Sequence, residues 1–229
     1  MSLRPGRWGR AALAVCLVLV VAGCAPRHHT SPAPQGPPAG QAGTAAARYK
    51  VSLETPRRAR LRLEAYAARP DRLRIEVSSP IGQPLLSVVC RSPRCLVLSP
   101  RDRCYAWADA DLAGWGLPGL AGTAPFWIAA LTSDRDAVGA FLGEPVSSGE
   151  EVVFSRALEE GARLTVRFKA DSQGPPHVIE TRRPPDVSAM LELAGTIDSM
   201  NLLGAFEQEI PKGFQEVSAP LALDPGAAE

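Results

Sequence analysis

Arg58-Ala59-Arg60-Leu61-Arg62-Leu63-Glu64-Ala65-Tyr66 decides the fold. Ala59, Leu61, Leu63 and Ala65 fall on one side, while Arg58, Arg60, Arg62, Glu64 and Tyr66 fall on the other. Strict alternation over nine residues reads as a β-strand with one wet face. From Asp71 to Val77 the device repeats, with Leu73, Ile75 and Val77 opposed by Arg72, Arg74 and Glu76. The break Ala68-Arg69-Pro70-Asp71 turns the chain between the two, so they are expected to form a hairpin.

Further strands are expected at Pro84 to Cys90, Cys95 to Leu98 and Cys104 to Trp107, the last after the turn from Ser99 to Arg103. The centre changes character. Asp109 to Trp115, Ala124 to Leu131 and Asp134 to Leu142 have helical lengths, start at Asp or Pro and are separated by glycines. Alternation returns in Glu151 to Ala157, Ala162 to Lys169, His177 to Arg183 and Ala189 to Ser199, and a last strand is expected near Phe206 to Ile210. Leu164, Val166 and Phe168 share one face of the second of these. Strands with one polar face, joined by short turns, make an antiparallel sheet curled over something apolar, and the central helices are the obvious cover. The apolar face can be ordinary core or line a ligand cavity, and periodicity alone favours core.

The N-terminus carries a different signal. Arg4, Arg7 and Arg10 precede an apolar run from Ala11 to Val21, and Ala22-Gly23 sits just before Cys24. Basic, apolar and small residues in that order read as a lipoprotein signal peptide over residues 1 to 23, with the mature chain starting at an acylated Cys24. The run is too short for a spanning helix, which needs about 20 apolar residues. Several acyl chains on one residue, at about 0.8 kcal/mol per buried methylene, hold a protein on a bilayer. Residues 24 to 47 are rich in Pro, Ala and Gly and read as a tether, residues 48 to 218 as one domain, and 219 to 229 as a tail. The whole chain has 25 basic and 24 acidic residues; without the signal the formal charge is −2. Such a balance gives no electrostatic reason to expect nucleic acid or an anionic lipid surface as partner.

Cys90 and Cys95 flank Arg91-Ser92-Pro93-Arg94, a hairpin turn that would put the two sulfurs on facing strands, so a disulfide is expected and Cys104 is left free. Metal is not expected: His28, His29 and His177 are the only histidines and no ligand spacing fits. No cofactor and no catalytic residue is expected either. The chain lacks a Gly-x-Ser-x-Gly elbow, a phosphate-cradling glycine loop and a His-Glu-x-x-His helix, and His177 reads as an ordinary sheet position.

Arg72 to Gln83, with its Ser79-Pro80-Ile81-Gly82 turn, resembles the LolA/LolB family of lipoprotein carriers, most closely its outer-membrane receptor branch, LolB. Gly116-Leu117-Pro118-Gly119-Leu120 followed by Phe126-Trp127-Ile128-Ala129-Ala130-Leu131 is similar to the family's helical segment. Asp171 to Ile179 resembles the Gly-x-Pro hairpin of its second half. The likeness spans most of residues 48 to 215 and rests on short motifs.

The resemblance implies an unclosed antiparallel β-barrel, a half-barrel, with a few short helices as lid over an apolar cavity that receives the acyl chains of lipoprotein cargo. Leu61, Leu63, Leu73, Ile75, Val77, Leu164, Val166 and Phe168 would then line that cavity beneath Phe126, Trp127 and Leu131. It also turns Pro80, Ile81 and Gly82 into a membrane-delivery loop; on the residues alone Ile81 reads as a plug folded over the sheet edge. The implied partners are a soluble periplasmic carrier, the acylated cargo, and the outer membrane through the Cys24 lipid anchor, with the chain acting as a monomer. Ala25 is not the aspartate that retains many lipoproteins in the inner membrane, so the periplasmic face of the outer membrane is the expected location. The alternative is a lipid-binding or structural lipoprotein with no transfer activity.

Overall fold

The structure, a computed structural model, describes residues 43–55, 58–110, 121–184, 187–198, 202–218 and 221. The signal peptide, Cys24, most of the tether, the expected helix from Asp109 to Trp115 beyond Ala110, and most of the tail lie outside the described residues. Residues 39 to 229 form a compact unit of their own, and the whole described sheet and core belong to it.

The first six strands follow one another directly: β1 (Thr44–Glu54), β2 (Arg58–Ala68), β3 (Arg72–Ser78), β4 (Pro84–Arg91), β5 (Arg94–Ser99) and β6 (Cys104–Asp109). Two short helices intervene, α1 (Ala124–Leu131) and α2 (Arg135–Leu142). The second series is β7 (Val146–Ser148), β8 (Glu151–Ala157), β9 (Arg163–Lys169), β10 (Val178–Arg183) and β11 (Val187–Thr196), closed by a one-turn helix α3 (Leu202–Ala205) and β12 (Gln215–Glu216). All twelve strands join one unclosed sheet in the order β12-β6-β5-β4-β3-β2-β1-β11-β10-β9-β8-β7. Every pairing is antiparallel except β12 on β6. The pairing of β1 with β11 welds the two series into one sheet, with Val51 opposite Leu191 and Leu53 opposite Ala189.

Alternation decides the faces. Along β2 and β3 every second residue is buried, and the residues between are exposed or half-buried. β1 obeys the same rule through Ala47, Tyr49, Val51 and Leu53. A one-residue slip would exchange core for water along a whole strand, so this pattern fixes the register. The buried faces of both series and the two helices form one hydrophobic cluster. α1 touches β1, β2 and β3, while α2, packed on α1, touches β8. β3 and β8 are six strand steps apart, about 29 Å at the ~4.8 Å spacing of a flat sheet. Two helices whose axes lie ~10 Å apart cannot bridge that distance, so the sheet curls around them.

Several expectations need correction. No strand is expected before Arg58, yet β1 starts at Thr44 and is among the longest. Asp109, expected at a helix start, ends β6. Phe206 to Ile210 is not a strand: Gln208 lies against the wet face of β4, where its Oε1 accepts from Ser87 Oγ at 3.0 Å. The sheet edge is taken instead by Gln215 and Glu216.

Candidate functional site

The eleven residues expected to meet acyl chains are brought together. Leu61, Leu63, Leu73, Ile75, Val77, Leu164, Val166, Phe168, Phe126, Trp127 and Leu131 are between 0% and 4% exposed and belong to one cluster. They fill the space between sheet and helices with side-chain contacts. Trp127 Nε1 donates to Ala121 O at 3.3 Å, and the Phe126 ring stands edge-on to Trp127 and tilted against Phe141. Tyr49 also reaches into this region; fully buried, it donates its hydroxyl to Pro176 O at 3.1 Å. Burial pushes that phenol far up, so it stays neutral.

α1 is apolar almost all round, as a helix sandwiched between sheet and neighbouring helix must be. Thr123 caps its start, accepting from Phe126 N through its side chain, and Gly122 at φ 105° lets the Phe126 ring come close; a Cβ there would meet Phe126 Cδ1 at 2.7 Å. Asp134 caps α2, its Oδ1 accepting from Ala137 N at 3.1 Å.

The turn between the helices is fastened to the sheet. Arg69, in the β2–β3 turn, donates through Nε to Thr132 Oγ1 at 3.1 Å and pairs through Nη2 with Asp134 at 2.9 Å. Arg135 donates through Nη2 to Lys169 O at 2.8 Å and Ser172 O at 2.6 Å, while its guanidinium lies 5.5 Å over the Phe168 ring. Ser133 Oγ donates to Gly174 O at 2.5 Å. Sequence reasoning saw Asp134 as a helix start but missed this latch. The available signal was a charged pair, Asp134-Arg135, at the start of α2 directly after the apolar α1.

At the opposite rim stands the turn after β3. Ser79 to Gly82 close a β-turn, Gly82 N donating to Ser79 O at 2.9 Å, with Pro80 in the position its fixed φ favours. Ser79 is buried and holds Gln83 from both sides: its N donates to Gln83 O at 2.9 Å and its Oγ accepts from Gln83 N at 3.1 Å. Gly82, at φ 88°, takes the left-handed conformation that other residues resist. The result is that Ile81 is 89% exposed, on a turn with little freedom to fold back. The plug reading of Ile81 does not describe this geometry.

Cys90 and Cys95 are register partners on β4 and β5, and their sulfurs are joined in a disulfide. Cys104 is a free thiol, which burial and nearby Asp102 push up. His177 lies just before β10 and hydrogen-bonds Arg167 O through its N at 3.0 Å; its Nε2 is 2.8 Å from Glu151 Oε1. Among the described residues no group of three or more His, Cys, Asp or Glu could hold a metal ion, and no helix is long and apolar enough to cross a membrane.

The fold and its site define a mostly β protein with an open twelve-stranded sheet, a helix-covered apolar face and one projecting apolar turn. No protein-family model matches the chain, and no curated protein does. Among solved structures the chain is similar, at 14% identity and a TM-score of 0.43, to an uncharacterized conserved protein from Thermus thermophilus, covering 76% of this chain and 90% of that one. A LolA superfamily protein from Nitrosomonas europaea matches at 9% identity and a TM-score of 0.45, over 73% of this chain and 91% of that one. A DUF1329 family protein from Desulfovibrio piger matches at 9% identity and a TM-score of 0.45, over 74% of this chain and 91% of that one. At these identities and TM-scores the likeness defines neither a family nor an activity for the chain.

Proposed function

We propose that the chain is a lipid-anchored receptor on the periplasmic face of a bacterial outer membrane, which accepts acylated lipoproteins from a soluble periplasmic carrier and releases them into that membrane. The observation that carries this reading is the pairing of a continuous apolar sheet face under two short helices with an isoleucine 89% exposed at the sheet's rim. Cargo chains would take the place of Phe126, Trp127 and Leu131 against β2, β3 and β9, so binding requires α1 and α2 to move. Transfer needs no covalent step, because acyl chains can pass down a gradient of apolar affinity from carrier to receptor to bilayer. An isoleucine side chain gains about 1.5 to 3 kcal/mol on leaving water, enough to bias the rim toward lipid.

The test is transfer of a labelled lipoprotein from its carrier into liposomes bearing this protein, wild type against Ile81→Glu. Transfer that depends on the protein and drops with the substitution, while cargo binding persists, supports the reading. Absence of transfer from a verified cognate carrier sinks it. A second reading, a structural lipoprotein with no ligand, is favoured by the close packing of the eleven apolar residues. Its sign would be native protein that carries no acyl chain after purification.

A further inference from the structure

We propose that the wet face beside the Ile81 turn seats the phosphate of an anionic phospholipid, so that this rim meets a negatively charged bilayer. The inference rests on reading Ile81 as the tip that touches the membrane. The chain is nearly neutral overall, but its charge is unevenly spread.

A groove of about 720 Å3 crosses the wet face of β1, β2 and β3 and reaches Gly82 and Pro84 at the turn. Arg48, Lys50, Arg62, Glu64 and Glu76 supply its charges. Both acids are already engaged. Glu64 accepts from Arg48 Nε at 2.7 Å and from Tyr66 OH at 2.8 Å, and Glu76 pairs with Arg74. Partial burial raises the Glu64 carboxyl, yet these hydrogen bonds outweigh it and leave the group below its ordinary value. Lys50 and Arg62 remain, without an acceptor among the described residues, and they stand directly opposite each other in the β1–β2 register. Like charges facing across a ladder repel. Glu192 lies beside Lys50 in register on β11 but forms no ion pair with it; Arg62 has Ser78 on its other side. An anion between Lys50 and Arg62 would relieve the repulsion, and a guanidinium fork suits a phosphate.

The other flank of the turn repeats the pattern. Strands β1 to β6 alternate in direction, so the β1–β2, β3–β4 and β5–β6 turns share one rim. The β5–β6 turn exposes Arg101 and Arg103, with Asp102 between them accepting from Ser99 Oγ at 2.6 Å. The apolar tip therefore stands between two pairs of cations. That is the layout of a bilayer contact, with an apolar group below the head groups and cations level with the phosphates.

The experiment is co-sedimentation of residues 39 to 229 with vesicles of phosphatidylcholine, alone or with one quarter phosphatidylglycerol. Wild type should prefer the anionic vesicles, and molar salt should remove the preference. Lys50→Gln/Arg62→Gln and Arg101→Gln/Arg103→Gln should each weaken partition onto anionic vesicles, by about fivefold per cation removed, with thermal melts no lower than wild type. Ile81→Glu should weaken partition onto both kinds of vesicle. Equal partition onto both by wild type, or charge variants that match it, would overturn the proposal. Release of bound protein by inorganic phosphate at constant ionic strength would make the groove a free-anion site and overturn the bilayer assignment. The cargo-transfer assay separates the two readings: no transfer with anionic preference intact removes the receptor and keeps the seat, whereas transfer without that preference removes the seat alone.

Discussion

Arginine has two fates on this sheet. At the rim of the β2–β3 and β9–β10 turns, Arg69 and Arg135 spend their donors on Thr132, Asp134, Lys169 and Ser172 and hold the helix pair in place. At the rim of the β3–β4 turn, Arg62, Arg101 and Arg103 have no acceptor among the described residues, and the projecting side chain between them is apolar. A guanidinium with internal carbonyls to bind closes structure, and one that faces outward beside an isoleucine invites a partner. The difference predicts which end of the molecule holds still and which meets other molecules.

The strongest way to erase the contrast is to damage the core beneath both rims. Ile75, fully buried on β3, should cost about 2 to 5 kcal/mol when truncated in Ile75→Ala, read as a lowered urea midpoint with an unchanged slope. Next comes the latch. Arg135→Ala should cost about 1.5 to 3 kcal/mol, since it breaks hydrogen bonds from a charged donor and a contact with Phe168. Hydrogen exchange should then speed in α1 and α2 while the β3–β4 turn keeps wild-type rates; uniform acceleration would mean that Arg135 holds the whole sheet rather than the helices. Ile81→Glu should change stability by no more than about 0.5 kcal/mol, because the side chain touches little, and its effects should fall on vesicle partition and transfer. A large loss of stability would show that the turn carries the fold.

The smallest effect concerns acid. Glu151 faces His177 and Arg167, and the hydrogen bond with His177, helped by one from Arg167 and by their charges, outweighs desolvation and lowers its carboxyl below the ordinary value of 4.5. A carboxyl lowered in the folded state contributes stability that is full above its unfolded value and is lost as pH falls through the folded one. Melting temperature should therefore decline with acid below about pH 4.5, and Glu151→Gln should flatten that decline. An unchanged pH profile in the variant would show that the contact contributes nothing.

Much of the fold was legible because burial and alternation coincide. β2, β3 and β9 each show period two with apolar residues on one face, so sequence alone located them within two residues. β1 was missed although Tyr49, Val51 and Leu53 alternate with Lys50 and Ser52; its first half, Ala45, Ala46 and Ala47, extends a tract of Pro, Gly and Ala, and alanine says little about which face is buried. Phe206 to Ile210 misled in the opposite sense: five residues can alternate by chance, and this segment is tied to the wet face through Ser87 and Gln208. The candidate site divides the same way. The residues of the apolar face follow from periodicity, whereas the exposure of Ile81 did not follow from the residues alone, which read it as a plug; the hydrogen bonds that fix the Ser79 to Gln83 turn decide it. The opposition of Lys50 and Arg62 depends on the register between two strands, which neither strand's own pattern states.

An unclosed sheet leaves two edges of unpaired backbone groups, each a template on which another copy could polymerise. Here one edge ends in β7, three residues long, and the other in β12, two residues long and running parallel to its neighbour. Each stub covers the end of the longer strand behind it, so that Ala106 to Asp109 of β6 and Phe154 to Ala157 of β8 are the stretches no described strand covers on the outer side. The chain thus keeps its sheet open while offering another copy only short runs of unpaired backbone.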